Sequence, residues 1–286
     1  MSESSKEKAL GCFDRALSAI KDVENFVQLG WEGLQNALHG PETIEILRGS
    51  HREETRERYR DEGLLRHAEE LRDFARKQKA DGFSYLHSLA VVRLWTILEA
   101  LVEELALERL TDLEQAARFP DVREVEGPLL GFAAADSTER ASILLELLAH
   151  KLRAKLGRGI GRFEQLLQAV DLGGPVDPSV RRSLLELWAV RNLIVHRGGT
   201  VDARFVEICA WLNVKVGETM IVPNAHVACY AAASVWYVLE LARRDECERL
   251  TAGTADQAYL QRLLDAQTTM LSRLHDPRAP DSLGDA

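Results

Sequence analysis

The chain has few of the residues that staple a fold covalently or through metal. Its four cysteines, Cys12, Cys209, Cys229 and Cys247, stand far apart. They include no CxxC pair and have no histidine at zinc-finger spacing, which argues against a disulfide framework and a structural zinc. Proline is scarce, at 8 in 286 residues, and aromatics make up only 6%. Leu, Ala, Glu and Arg are abundant instead, so an all-α fold is expected. The most apolar run, "HVACYAAASVWYVLEL" from His226 to Leu241, is too short and interrupted for a clear membrane span and reads as a buried core helix. An excess of basic residues is also missing. The formal charge of −9 argues against non-specific coating of nucleic acid, which needs many cations to release counterions from phosphates. A local basic site stays open. The opening "MSESSKEKALG" has no basic segment followed by an apolar run, so a reducing cytoplasm is the expected location, with no membrane partner.

What is present is helical periodicity. Leu10, Phe13, Leu17, Ile20, Val23 and Phe26 recur every three or four residues in a helix from Glu3 to about Leu38, with interruptions expected at Gly30 and at Gly40-Pro41. From His51 to Lys79, opposite charges four apart (Glu54 and Arg58, Glu62 and Arg66, Asp73 and Lys77) describe a solvated helix with one apolar stripe in preference to a nucleic-acid arm. Phe83 to Leu110 is apolar around most of its circumference, as a central helix must be. Thr111-Asp-Leu-Glu114 reads as a capping box, and Pro120, Gly127-Pro128 and Gly131 mark the longest irregular stretch.

A helix opened by Asp136 and Glu139 should run to about Leu156. Its second half continues into "HKLRAKLGRGIGRFEQ", where Lys151, Arg153, Lys155, Arg158 and Arg162 face one nearby acid, Glu164. This is the clearest local positive charge, suited equally to a phosphate-facing patch and to an ordinary solvated face. "GRGIG" within it lacks the strand and lysine of a phosphate loop. Asp177-Pro178 starts a helix that Gly198 or Gly199 should end after His196. Phe205, Ile208, Cys209 and Leu212 share a face of the next helix. "VKVGETMIV" alternates around Gly217-Glu218 as a small β-hairpin would. Asn224 opens the apolar helix to about Arg244, and a final amphipathic helix from about Asp256 to Leu274 leads into a polar, frayed tail. The expected organisation is an N-terminal helical extension over 1–80, a helical bundle over 81–250, and a C-terminal helix and tail over 251–286.

The stretch "LWAVRNLIVHRGGTVD" (187–202) carries the chemistry. On a helical wheel Leu184, Leu187, Trp188 and Val195 fall within about 60° of Arg191, so a permanent cation stands in the apolar stripe; Asn192 and His196 lie at about 100° and 140°. A guanidinium buried without partners is costly. One account is an ion pair with Glu99 of the central helix, inside a purely structural scaffold. The other is function: a guanidinium that grips two oxygens, an amide, and an imidazole that exchanges protons near neutral pH together suit a phosphate and a proton transfer. Arg197 and the basic stretch would add attraction. His87 and His226 read as satisfied core histidines, and Trp95, Trp188, Trp211 and Trp236 as core fillers. No HExxH, GxSxG or paired-carboxylate motif appears, so no metal or cofactor is expected.

"RNLIVH", Arg191 to His196, resembles the arginine, four residues, histidine signature of the HEPN superfamily, including its frequent Asn after the arginine. The resemblance spans roughly residues 82 to 245, from "LWTILEALVEEL" through "RNLIVHRGG" to the last long apolar helix. It implies an antiparallel bundle of four or five helices and, as in many members, a metal-independent endoribonuclease of toxin–antitoxin or phage-defence systems. Two motif helices would meet at a twofold in a homodimer. His196 would then move the 2′-hydroxyl or 5′-oxygen proton, Arg191 would stabilise charge on phosphorus, and Asn192 would orient the phosphate or the histidine. RNA, such as a tRNA or messenger, is the implied partner, with an antitoxin or defence protein as regulator. Gly198 stands where toxins modified by a nucleotidyltransferase antitoxin carry a tyrosine, so the resemblance does not extend to that mode of control. The alternative within the same fold is a non-catalytic module that binds a protein, nucleotide or RNA.

Overall fold

A computed structural model describes residues 3–127, 129–152, 157–251 and 256–275. Fourteen α-helices are defined among them: α1 (Glu3–Leu38), α2 (Gly40–Arg48), α3 (Glu53–Arg58), α4 (Glu62–Ala80), α5 (Ser84–Thr111), α6 (Leu113–Ala116) and α7 (Pro120–Arg123) in the first half of the chain. The second half carries α8 (Leu129–Ala134), α9 (Ser137–Leu152), α10 (Ile160–Gln168), α11 (Pro178–Arg197), α12 (Ala203–Ile208), α13 (Asn224–Thr251) and α14 (Gln257–His275), with a 3₁₀ turn at Ala210–Leu212. No β-strand occurs among the described residues, and the fold is all-α.

The centre is α5. Leu94, Leu98 and Trp95 are buried together with Val91, Leu101 and Leu105, so apolar side chains leave this helix in most directions and each such burial contributes roughly 1.5–3 kcal/mol. One stripe through Tyr85, Leu89, Arg93, Thr96, Ala100 and Glu103 is left to water, and α1, α9, α10, α11 and α13 pack against the rest of the helix. The first helix of the N-terminal stretch is thus part of the wall of the central core. α1 runs straight through Gly30, where the sequence pattern predicts an interruption. A Cβ at Gly30 would come within 2.8 Å of the Leu86 side chain on α5; the glycine serves close helix approach and not a break.

Three further expectations change in the structure. The charged stretch from His51 is two helices, because Asp61 caps a new start by accepting from the Gly63 N–H at 2.7 Å. Asp112, and not Thr111, caps α6, since α5 continues through Thr111. The expected hairpin does not form. Segment 214–222 pairs instead with the residues after α11, through an antiparallel bridge between Thr200 and Thr219. Val201 N–H donates to the Glu218 carbonyl at 2.9 Å, Met220 N–H to Gly199 at 2.8 Å and Gly217 N–H to Val201 at 2.9 Å. Alternation shows that a segment is extended, but not what it pairs with. At α9, Asp136 and Glu139 do make the reciprocal capping contacts. The expected tail after His275 lies outside the described residues.

α13 includes a segment, Asn224–Cys247, long and apolar enough to cross a membrane by length and composition, but 72% of its most apolar window is buried inside the protein. It is a core helix that also carries buried charge. Arg244 donates from Nη1 to both Glu164 oxygens at 3.0 and 2.9 Å, from Nε to Glu240 Oε1 at 2.9 Å, and from Nη2 to the Pro175 carbonyl at 3.0 Å. Tyr237 also donates to Glu164, while Arg243 and Gln267 donate to Glu240. Burial alone would push the Glu240 carboxyl up, but these donors hold it below the usual carboxylate range. Removing Arg244 would leave two carboxylates without their shared cation. Arg244→Met is expected to cost about 3–5 kcal/mol in urea unfolding. Lys21→Ala, which breaks only the exposed contact to Glu24, is expected to cost under about 0.5 kcal/mol.

Candidate functional site

α11 is fixed at both ends by its own sequence. Asp177 accepts from the Ser179 N–H at 2.8 Å with Pro178 as first helical residue. At the other end Gly198 takes a left-handed φ of +59° and the Gly199 N–H reaches back to the Leu193 carbonyl at 3.0 Å. Leu184, Leu187, Val190 and Leu193 are buried, which fixes the rotation of the helix and so the direction of every remaining side chain. The seam with 214–222 anchors the chain straight after His196. His87 holds that segment to α5, since its buried Nδ1 lies 2.7 Å from the Val222 carbonyl. Burial lowers the His87 pKa and keeps the ring neutral, a donor from Nδ1.

Arg191 emerges half-buried between α11 and α5. Its Nη2 is 3.8 Å from Glu99 Oε2, an ion contact looser than the 2.7–2.9 Å of a charge-assisted hydrogen bond. Nη1 donates to Asn192 Oδ1 at 3.2 Å, while the buried Nε has no hydrogen-bond partner. The guanidinium is therefore paired but not saturated. Asn192 and His196 open onto the other side, into a cleft of about 330 Å³ between α11 and α12. Trp188 and Arg197 share their wall, and Arg204, Phe205 and Ile208 form the opposite one. Asp202 at the cleft's end caps α12 by accepting from the Phe205 N–H at 2.8 Å and lies 3.7 Å from Arg197 Nε. His196, Arg197 and Arg204 are exposed. Asn192 is thus the link between a cation on one side of α11 and a cleft on the other; Arg191 itself does not line the cleft.

The basic stretch is less free than its sequence suggests. Lys151 contacts Asp121 at 3.0 Å and Glu124 at 2.8 Å, and those acids raise its pKa, Glu124 foremost. Arg158 lies 3.5 Å from Glu207. Arg162 lines a small groove with Glu99 and Glu103, away from the His196 cleft. Arg153 and Lys155 lie outside the described residues. Glu164, the nearest acid in sequence, turns inward to Arg244.

The other charged residue in the body of α11 escapes the sequence reading. Glu186, about 140° around the helix from Arg191, is buried and accepts from Trp211 Nε1 at 2.6 Å and Tyr230 OH at 2.7 Å. His226 Nδ1 approaches to 2.9 Å, off the line of a hydrogen bond. Arg182 lies over the Trp211 ring, 4.7 Å from its centroid. Within "LLELW" the glutamate looks like a surface residue, and its partners stand 25 to 44 residues away; the only local hint is a charge flanked by leucines. Glu186 ties α11 to α13 and to the turn after α12, and so positions the cleft. Burial opposes its ionisation, but His226, Trp211 and Tyr230 together hold its carboxyl below the usual range. Burial also pushes the nearby Cys209 thiol up to about 12, a protonated and unreactive state.

Comparison of the chain with known protein families, curated proteins and solved structures found no match.

Because the folded Glu186 pKa is depressed, its stabilisation is fully present above the unfolded value of about 4.3 and is lost as pH falls through the lower folded value. Glu186→Gln is expected to melt below wild type at pH 7, and the gap should close as the pH drops below about 4. Melting curves followed by circular dichroism check this; a gap that stays constant with pH counts against the ionised cluster.

Proposed function

We propose that this protein is a metal-independent endoribonuclease of the HEPN type, with Arg191, Asn192 and His196 at its site. The observation that carries the reading is the Arg191–Asn192 contact at 3.2 Å, which couples an unsaturated guanidinium to the wall of a cleft that His196 also lines. In the reaction the ribose 2′-oxygen bonds to the adjacent phosphorus as its proton leaves. The bond from phosphorus to the 5′-oxygen then breaks as that oxygen gains a proton, leaving a 2′,3′-cyclic phosphate and a 5′-hydroxyl. An imidazole near the 2′-hydroxyl takes the first proton, and one near the 5′-oxygen supplies the second. A guanidinium stabilises the charge that grows on the phosphate oxygens. The loose Glu99 contact suits this role, since a phosphate offers Arg191 shorter hydrogen bonds than Glu99 does.

One His196 cannot serve both oxygens at once, so a second copy of the chain completes the site in this reading. Supporting it, the two helices that carry Arg191 and Glu99 also expose large apolar side chains: Val195 on α11, Tyr85 and Leu89 on α5. A toxin or phage-defence role, with a partner protein restraining the activity, follows from the resemblance of the motif. The second reading, a non-catalytic module that binds a partner, is favoured by one observation: Arg191 already meets Glu99 within a single chain.

Purified protein is expected to cut RNA in excess EDTA and leave 2′,3′-cyclic phosphate ends, and Arg191→Ala and His196→Ala should each lower the rate about 100-fold or more. Full activity in both variants moves the site elsewhere, and an inert wild type favours the module. Val195→Glu is expected to convert dimer to monomer in sedimentation and to lose cleavage in parallel; a monomeric wild type that still cuts overturns the composite site.

A further inference from the structure

Resting on the ribonuclease reading, we propose that the cleft between α11 and α12 is a subsite for the nucleotide next to the cleaved bond, with Trp188 as the platform for its base and Arg204 as the ligand of its outer phosphate. Trp188, Asn192 and His196 are spaced four apart on one edge of α11, and all three line the cleft. A base against the indole therefore leads along the wall to the amide and the imidazole. Trp188 is half-buried, not sealed in the core, and Phe205 and Ile208 make the opposite wall partly apolar. That pairing of walls suits a flat aromatic ring.

The charges are asymmetric in a way that suits an anion at one end. Arg197 makes one ion contact, 3.7 Å from Nε to Asp202, as loose as that of Arg191 to Glu99, and Asp202 is further occupied in capping α12. Arg204 is exposed at the cleft and has no ion-pair partner among the described residues. A volume of about 330 Å³ lies at the low end of the ~300–1,000 Å³ of small-molecule sites, which fits one nucleotide. A chain of formal charge −9 gains little attraction for RNA from its overall field, so stacking and a single well-placed cation carry much of the affinity.

The test uses a short fluorescein-labelled oligoribonucleotide with every 2′-hydroxyl methylated, which binds but cannot be cut by 2′-oxygen attack. Anisotropy titrations of the full chain are expected to show that Trp188→Leu weakens binding about tenfold without changing its salt dependence, while Trp188→Phe retains most of the affinity. Arg204→Ala, at an exposed position, is expected to weaken binding and to reduce the slope of log affinity against log salt by about 0.7, the loss of one phosphate contact. Lys21→Ala, on the exposed face of α1, should bind the probe as wild type does and serves as the control for loss of a surface cation. Wild-type affinity and salt slope in both Arg204→Ala and Trp188→Leu overturn the subsite, as does failure of wild type to bind the probe, whether or not ordinary RNA is cut. Binding that depends on Trp188 and Arg204, in a protein that leaves unmethylated RNA intact, upholds the subsite and overturns the nuclease.

Discussion

A helix that water can wet along only one stripe has to be covered on its other sides, and α5 imposes that demand on the whole molecule. Its leucines, valines and Trp95 point to α1, α9, α10, α11 and α13 in turn. The stacked rings of Trp95 and Phe163, with centroids 4.7 Å apart, fill the side toward α10. Covering α5 is worth more than any single polar contact in the protein, since burial scales with apolar area. The polar groups therefore accept the positions that this packing leaves them. Glu99 lies on α5 where the apolar surface gives way, and Arg191 meets it there.

α11 carries two charged side chains in its packed body, and their surroundings differ. Glu186 has a donor from Trp211, another from Tyr230 and a third contact from His226, which nearly fills the capacity of its two oxygens. Arg191 has one hydrogen bond to a neighbour on its own helix, one long ion contact and one buried N–H without a partner. A buried donor left unpaired costs about 1–3 kcal/mol, a cost that a purely structural cation would avoid by fuller pairing, as Arg244 does. The contrast separates a residue that holds the fold from one with capacity in reserve.

Periodicity made most of the helices legible, because the spacing of apolar residues follows directly from the helical turn. Contacts between distant segments were not. Lys151 stands in a run with one nearby acid, but the acids it meets, Asp121 and Glu124, lie 27 to 30 residues away at the short helix α7, and packing turns Glu164 inward to Arg244. The 214–222 segment was recognisably extended, but its partner at 199–201 belongs to the chain after another helix. Arg191, Asn192 and His196 stood out by type and spacing, whereas Trp188 read as core and Arg204 drew no notice, because both depend on how α12 lies against α11. The wheel did separate Arg191 from His196, and the structure keeps them on different sides of the helix.

The seam between 199–201 and 217–220 is made wholly of main-chain groups. Side chains in 214–219 can therefore drift while the anchor behind His196 persists, provided that Gly199 and Gly217 keep their left-handed backbones at φ of +82° and +90°. A relative could keep the same helix end with almost no shared letters in this segment. Two glycines and an extended stretch about twenty residues downstream of the histidine would then be a better tracer of descent than overall identity.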